Sequence, residues 1–220
     1  MPFTAQAFTF LGQLERNNDK AWFEAHRDEY ESAIREPALA FIDEAGEWFE
    51  AAKLPYVAEA KKVGGSLSRI HRDIRFSKDK SPYNTHVIMA FEHRKSSEER
   101  PLPGIGVRWD KEGASVGGGC WMGGTPVLNK VRDAIVADPK GWTAAKKGVR
   151  LQTPHYAPPL KTAPRGYAKD HPMIADLKRQ TFAAEVPITK AQFTGDLLPT
   201  FQKSYTQMQP LLGFLDEALA

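Results

Sequence analysis

The spacing of apolar residues changes twice along the chain, and this limits the folds that it can adopt more than any other feature. Over residues 4–51, apolar side chains recur at steps of three and four, which predicts helices. Over residues 85–122, short runs rich in β-branched and aromatic residues predict strands. Helical spacing returns after Gly124. Strands grouped between two helical regions indicate an α+β fold, with the N-terminal and C-terminal helices packed on a small antiparallel sheet.

The predicted strands form a meander. They occupy residues 87–91, 105–109 and 115–122. A short turn over residues 110–113 joins the last two, so we expect the three strands to be adjacent and antiparallel. Three consecutive glycines, 117–119, lie inside the third strand. Glycine in a strand predicts a bulge, or the close approach of a second backbone or a ligand.

The helix ends are marked by a capping residue and by prolines. Asp19 is a good N-cap for a helix that starts directly after it, because its carboxylate can accept from free N–H groups of the first turn. Pro37 predicts a break or a kink, since proline has no N–H, so residues 20–51 form two helices or one bent helix. The apolar stripe over residues 198–219 is expected to pack in the core. Pro210 interrupts it, which disfavours a coiled coil.

Length and composition are those of an ordinary globular protein. The chain has 220 residues, of which 41% are hydrophobic and 26% charged, and this predicts one domain over residues 1–220. The first residues lack the basic and apolar regions of a signal peptide, and no apolar run reaches the length of a membrane span. We therefore expect a cytoplasmic protein with no membrane partner. Nothing in the sequence indicates its oligomeric state.

The residues that usually bind metals and cofactors are sparse. Cys120 is the only cysteine, so no intramolecular disulfide and no cysteine-based metal site can form. His86 and His93 lie seven residues apart and could form a metal pair, but a solvated or hydrogen-bonded histidine is the more common role. No dinucleotide-binding, phosphate-loop, zinc-protease or serine-hydrolase motif occurs. We expect no bound metal and no cofactor.

The positive charge of the protein is concentrated in residues 61–86. This segment holds seven Lys and Arg residues against two Asp residues, so its net charge is +5, whereas the whole chain carries +3. Such a concentration attracts anions, most strongly at low salt. The sequence allows two conformations over residues 69–76. As a strand, it would carry Ile70, Arg72, Ile74 and Phe76 on one face and Arg69, His71, Asp73 and Arg75 on the other. As a helix, it would spread the arginines apart.

The leading hypothesis for this segment is a binding site for a small anionic ligand that carries phosphate. Guanidinium groups bind phosphate oxygens two at a time, and lysines add point charges. The proposed donors are Arg69, Arg72, Arg75, Lys78 and Lys80. Tyr83 would act as a hydrogen-bonding or stacking lid. Arg165 and Tyr167 lie in a proline-rich segment and would either supply further donors or clamp a loop.

Three other interpretations remain open at this point. An enzyme acting on a phosphorylated substrate would use His71 and Asp73 as its acid–base pair. A nucleic-acid-binding module would combine phosphate contacts with stacking on Phe76 and Tyr83. A purely structural segment would pair its arginines with Asp73 and Asp79. Nucleic acid is therefore a second expected partner, after the small anionic ligand.

Four blocks of sequence resemble the signature of a known family. They are NNDKAWFEAHRDEY (17–30), RIHRDIRFSKDKSPYNTH (69–86), VGGGCWM (116–122) and PRGYAKDHP (164–172). Together they are similar to a widespread uncharacterised family, a domain of unknown function. The resemblance implies a single α+β domain and implies no activity, cofactor or substrate. Relatives often have lysine where this chain has Asn84, which removes a positive charge from the proposed site and weakens the nucleic-acid interpretation.

Overall fold

The computed structural model describes residues 2–98, 100–121 and 124–220. The described helices are α1 (Gln6–Arg16), α2 (Lys20–Ala25), α3 (Arg27–Tyr30), α4 (Glu36–Ala51), α5 (Thr125–Ala137), α6 (Pro139–Ala145), α7 (Ile174–Leu177), α8 (Lys190–Thr194) and α9 (Leu197–Leu219). The described strands are β1 (Tyr56–Val57), β2 (His86–His93), β3 (Gly104–Asp110), β4 (Ala114–Cys120), β5 (Arg150–Leu151) and β6 (Phe182–Ile188). They form one antiparallel sheet in the order β1-β2-β3-β4-β6-β5, which confirms the α+β class.

The three predicted strands are confirmed as the neighbours β2, β3 and β4. Met122, the predicted end of the third, lies outside the described residues. The sequence did not predict β1, β5 and β6. The first two have only two residues each, too short for a period to show, and β6 reads FAAEVPI, in which alanines and Pro187 hide the alternation.

Packing divides the chain into two compact units, each built from separate stretches of sequence. The first comprises Met1–Phe91, Gly106–Val116 and Pro187–Lys203. The second comprises Glu92–Ile105, Gly117–Val186 and Ser204–Ala220. The expectation of one domain over residues 1–220 stays a prediction. None of the described helices combines the length and the apolar character needed to cross a bilayer.

Among the N-terminal helices of the first unit, α2 begins where its capping residue predicts. The Trp22 N–H donates to Asp19 Oδ1 at 2.9 Å, which confirms Asp19 as the N-cap of α2. A π-helical turn, Glu31–Arg35, separates α3 from α4. Pro37 follows this turn directly, and the backbone before it is already helical, since Tyr30, Arg35 and Glu36 all have right-handed helical angles. The break expected at Pro37 is therefore not observed, and the interruption within residues 20–51 lies at His26, between α2 and α3.

Aromatic side chains form the core of the first unit. Phe49 of α4, Phe91 of β2 and Phe201 of α9 are at most 1% exposed, and their ring centroids lie 5.1 to 6.2 Å apart. Tilted and edge-to-face pairs of this kind add about 0.5–1.5 kcal/mol each beyond the burial of their area. The apolar stripe of the last helix thus packs in the core, as predicted.

Pro210 does not interrupt the last helix, so that part of the prediction is wrong. The helix α9 continues through Pro210 to Leu219. Proline removes one N–H from the helical ladder and crowds the preceding turn. Met208, Leu211 and Leu215 lie on both sides of it in the second unit, and all three are fully buried. Their burial outweighs the lost hydrogen bond and keeps the segment helical.

The glycines of β4 allow other chain segments to approach closely in the second unit. A Cβ atom on Gly119 would lie 2.3 Å from the Phe182 carbonyl oxygen and 2.6 Å from the Ala183 Cα. Gly119 also has a φ of +131°, which side-chain-bearing residues rarely adopt. The predicted close approach of a second backbone is confirmed, and that backbone belongs to β6.

A buried carboxylate organises another part of the second unit. Asp176 is 6% exposed and accepts hydrogen bonds from Trp142 Nε1 at 2.9 Å, Lys146 Nζ at 2.5 Å and Arg179 Nε at 3.2 Å. Burial alone would raise the pKa of Asp176, but the hydrogen bonds from Lys146 and Trp142 outweigh it and lower that pKa. The network joins α6 to α7.

Candidate functional site

The basic segment folds back on itself as an irregular antiparallel pair, which we call the basic arm (residues 66–86). The Arg72 N–H donates to the Pro82 carbonyl at 2.9 Å, and the Asn84 N–H donates to the Ile70 carbonyl at 2.7 Å. The pairing consists of isolated β-bridges, including the one between His71 and Tyr83, and not of a continuous ladder of β-sheet hydrogen bonds. The arm is therefore extended, although it is neither a regular strand nor a helix.

The alternation expected of an extended segment holds along most of the arm and fails at its tip (residues 74–81). Ile70 is buried, whereas His71 and Arg75 are exposed. Phe76 was expected on the face of Ile70, but its side chain is 95% exposed. The reason is a turn in the chain, in which the Ser77 N–H donates to the Ile74 carbonyl at 3.3 Å.

Arg72 holds the tip of the arm together. Its Nη1 donates to Asp79 Oδ2 at 2.6 Å and to the Ser81 carbonyl at 3.2 Å, and its side chain is 25% exposed. Hydrogen bonds from the Ser81 hydroxyl and N–H, and then from Arg72, hold the pKa of the Asp79 carboxyl well below its usual range. Arg72 thus acts as an internal clamp on the tip.

Arg75 and Asp73 form an exposed pair. The Arg75 Nε and Nη2 atoms donate to the Asp73 carboxylate at 2.9 and 2.6 Å, and the Arg75 side chain stays 76% exposed. The hydrogen bond from Arg75 lowers the pKa of Asp73. No described contact joins Asp73 to His71, whose ring lies 5.1 Å from that of Tyr83. The structure does not bring His71 and Asp73 together as an acid–base pair.

The remaining cations of the arm differ in their contacts. Lys80 Nζ donates to the Ile74 carbonyl at 3.0 Å, so Lys80 supports the fold of the tip. Within the described parts of the chain, Arg69 and Lys78 form no side-chain hydrogen bond and no ion pair, and both are exposed. These two side chains are available to a ligand without breaking a protein contact.

Tyr83 anchors the arm instead of serving as a lid. It is 2% exposed, and its ring stacks on that of Phe23 with centroids 4.2 Å apart. The Asn18 side chain pairs with the Tyr83 backbone in both directions, since its Nδ2 donates to the carbonyl and its Oδ1 accepts from the N–H, each at 3.0 Å. Sequence reasoning missed this role of Asn18. Its place beside Asp19 in the first signature block was the available signal.

Arg165 and Tyr167 belong to the second unit. The Tyr167 hydroxyl lies 2.7 Å from Asp133 Oδ1 and 3.3 Å from the Asn129 carbonyl oxygen. Burial, aided by Asp133, raises the pKa of Tyr167 to about 12. Of the two roles considered for Tyr167 from the sequence, ligand donor and loop clamp, these contacts correspond to the loop clamp. Arg165 is exposed and forms no side-chain hydrogen bond or ion pair with another residue in the described stretches.

His86, His93 and Cys120 are all at least partly buried. Among the described residues, no group of three or more His, Cys, Asp or Glu side chains is arranged to hold a metal ion. Burial lowers the pKa values of His86 and His93. Burial raises the pKa of the Cys120 thiol to about 12, so the thiol is protonated and poorly nucleophilic at neutral pH.

A cavity of about 580 Å³ lies in the first unit, and no cation of the arm is among the described residues that line it. Its lining includes Phe3, Phe41, Glu44 and Asp196, and none of the described residues that line it is Lys, Arg or His. The two carboxylates would repel an anionic ligand. The candidate anion site is therefore the exposed arm and not this cavity.

Comparison with known proteins agrees with the expected resemblance to an uncharacterised family. The sequence profile of a conserved hypothetical protein family, DUF2461, matches residues 6–214. The chain belongs to this family. The match includes the whole basic arm of this DUF2461 chain. No curated protein and no solved structure matches it.

The contacts of the arm predict that substitutions of two of its arginines, Arg72 and Arg75, affect the stability of this DUF2461 protein differently. We expect Arg72→Gln to lower the free energy of unfolding by about 1–2 kcal/mol, because it removes charge-assisted hydrogen bonds from a half-buried clamp. We expect Arg75→Gln to leave stability almost unchanged, because exposed ion pairs contribute little. Urea denaturation of both variants beside the parent measures the difference. Equal losses would contradict the assignment of Arg72 as the clamp.

Proposed function

We propose that the protein binds anionic, phosphate-bearing ligands at the basic arm. Arg69 and Lys78 are the primary donors, since no protein group in the described structure occupies their side chains. Arg75 is the third donor. Its Nε and Nη2 atoms are held by Asp73, and its Nη1 atom remains for a ligand on a side chain that is 76% exposed. Charge-assisted hydrogen bonds of this kind are the strong ones in phosphate recognition.

The observation that carries the proposal is the division of the cations into two sets. Arg72 and Lys80 contact Asp79 and the Ile74 carbonyl and so shape the tip. Arg69 and Lys78 take no part in that scaffold. A purely structural segment would engage all of its cations, whereas a binding segment needs some engaged and some free. A tip already shaped by Arg72 also loses less conformational freedom when a ligand binds.

Binding is better supported than catalysis. The carboxylate that an acid–base pair would need at Asp73 is engaged by Arg75, and His71 has aromatic neighbours instead. The proposed site requires no cofactor. We place the binding activity in the cytoplasm, in keeping with a chain whose one cysteine has no disulfide partner.

Thermal unfolding with tripolyphosphate at low ionic strength tests the proposal. We expect the parent to be stabilised in a concentration-dependent manner, by about 2.7 kcal/mol when the ligand is at 100 times its dissociation constant. We expect the double variant Arg69→Gln/Lys78→Gln to lose most of this stabilisation while it unfolds at nearly the same temperature as the parent without ligand, because both side chains are exposed.

A charge-matched control separates a site from general attraction. Lys140 and Lys203 are exposed lysines outside the arm, so Lys140→Gln/Lys203→Gln removes the same net charge. We expect this control to be stabilised as strongly as the parent. The proposal is wrong if tripolyphosphate stabilises neither the parent nor the control. It is also wrong if tripolyphosphate stabilises the arm variant and the control equally.

A further inference from the structure

Phe76 is the feature of the arm that phosphate binding leaves unexplained. Among the described residues, it is the most exposed large apolar side chain, at 95%. Burial of a phenylalanine contributes about 1.5–3 kcal/mol to folding, and this ring makes no such contribution. The turn that begins at Ile74 carries it out of the face that it would otherwise share with Ile70. Most of the ring surface is thus available to a ligand.

The surroundings of Phe76 define what that ligand must carry. The Arg75 guanidinium carbon lies 5.8 Å from the centroid of the Phe76 ring. Lys78, two residues further on, is free of protein partners within the described chain. A ligand that satisfies this tip needs negative charge beside a flat apolar surface. A nucleotide combines both, because each base offers a π-face and each linkage a phosphate.

From this juxtaposition we infer that the basic arm binds single-stranded nucleic acid, with a base stacked on Phe76 and the adjacent phosphates contacted by Arg75 and Lys78. The inference rests on the proposed function and names its ligand. Stacking on an aromatic side chain is tolerant of base identity, so the site favours no particular sequence. A duplex does not fit this role, because its bases are already stacked on one another.

An anionic membrane is the competing partner for a ring with cations beside it, and the tip fits it less well. Asp73 and Asp79 are exposed on the same arm, with 54% and 62% of their side chains accessible. A wide anionic surface would meet these carboxylates together with the cations. A single ring with a few cations also falls short of the two strong signals that stable membrane anchoring requires. A flexible single strand of nucleic acid can contact the ring and the cations without meeting the carboxylates.

The test compares two labelled probes of about twelve nucleotides, within the range that single-strand sites span. One is oligothymidylate, and the other is an abasic deoxyribose-phosphate chain with the same number of phosphates. We expect fluorescence anisotropy to show tighter binding of oligothymidylate. Phe76→Ala should weaken that binding about ten-fold and leave the abasic probe unaffected. Lys78→Gln should weaken both probes and reduce the salt dependence by about 0.7 in the log–log slope.

Matched variants separate stacking from apolar contact. Phe76→Trp keeps an aromatic face and should retain affinity for oligothymidylate, whereas Phe76→Leu keeps an apolar side chain and should lose it. Tyr156→Leu removes an exposed aromatic ring outside the arm and should change nothing. Because Phe76 makes so little contact with the fold, none of its variants should alter the unfolding temperature.

The outcomes distinguish this inference from the proposed function. If the two probes bind equally and Phe76→Ala has no effect, the inference is wrong and phosphate binding stands. The same holds if neither probe binds while tripolyphosphate still stabilises the protein. If neither probe binds and tripolyphosphate has no effect, both are wrong. Binding to phosphatidylserine vesicles that survives in Phe76→Leu, without binding to oligothymidylate, would replace the nucleic acid with a membrane.

Discussion

Replacing Gly119 by alanine should destabilise the protein by about 4 kcal/mol. The added Cβ would lie 2.3 Å from the Phe182 carbonyl oxygen, a distance that real Cβ atoms do not adopt, so the backbones of β4 and β6 would have to separate. Overpacking of this kind costs about 1–3 kcal/mol. The φ of +131° adds strain of about 1–3 kcal/mol for any residue with a side chain. Chemical denaturation of Gly119→Ala beside the parent measures the sum.

Two other glycines separate the two sources of that loss. Gly148 has a φ of +82° and open space where a Cβ would lie, so Gly148→Ala tests backbone strain alone and should cost about 1–2 kcal/mol. Gly113 has open space and no unusual φ, so Gly113→Ala should change stability by less than about 1 kcal/mol. A loss at Gly119 no larger than that at Gly148 would show that the approach of β6 is not rigid.

The exchange Asp176→Asn should lower the free energy of unfolding by about 3 kcal/mol. The substitution leaves the Lys146 ammonium and the Arg179 guanidinium without their buried counter-ion. Losses on breaking buried pairs run to about 3–5 kcal/mol, and the partial exposure of Lys146 places this one at the lower end. The side-chain amide oxygen that the substitution introduces can still accept a hydrogen bond from Trp142 Nε1, so the variant should fold. Asp170 is an exposed carboxylate, and Asp170→Asn should change stability by less than about 0.5 kcal/mol.

The same network predicts how stability depends on pH. The pKa of Asp176 is lowered in the folded protein, so its stabilising contribution is present above the unfolded pKa of about 3.9 and is lost as the pH falls through the lower folded value. The difference between the parent and Asp176→Asn should therefore be constant above about pH 5 and shrink below about pH 4. Denaturation curves at several pH values measure it, and a difference that grows in acid would contradict the pKa direction.

Patterns that involve neighbouring residues predicted much of the fold. Asp19 caps α2, and the spacing of β-branched residues located β2, β3 and β4 to within a residue or two, because a cap and an alternation depend on residues close in sequence. The run of glycines predicted a close approach in β4 in the same way. It could not identify β6 as the approaching segment, since Phe182 lies more than sixty residues further along the chain.

For the candidate site too, some properties could be predicted from neighbouring residues and others depend on residues far apart in sequence. Its location followed from the sequence, because the clustering of Lys and Arg in residues 61–86 is visible in the order of residues alone. The roles of the individual side chains in the site could not be predicted from the sequence. Arg72 and Arg75 were both predicted as ligand donors, yet Arg72 is a clamp that binds Asp79 and Arg75 is an exposed side chain. Phe76 and Tyr83 were equally good stacking candidates, and only Phe76 is accessible.

The sequence by itself determined the strands β2, β3 and β4, the α+β class and the charge of the basic arm, because these properties arise from the spacing of residues along the chain. Tertiary structure decided which side chains are free. The anchoring of Tyr83 by Asn18 joins residues 65 positions apart, and no local pattern contains both. A side chain is available to a ligand only after the fold has assigned its partners, and those partners are set by distances in space rather than in sequence.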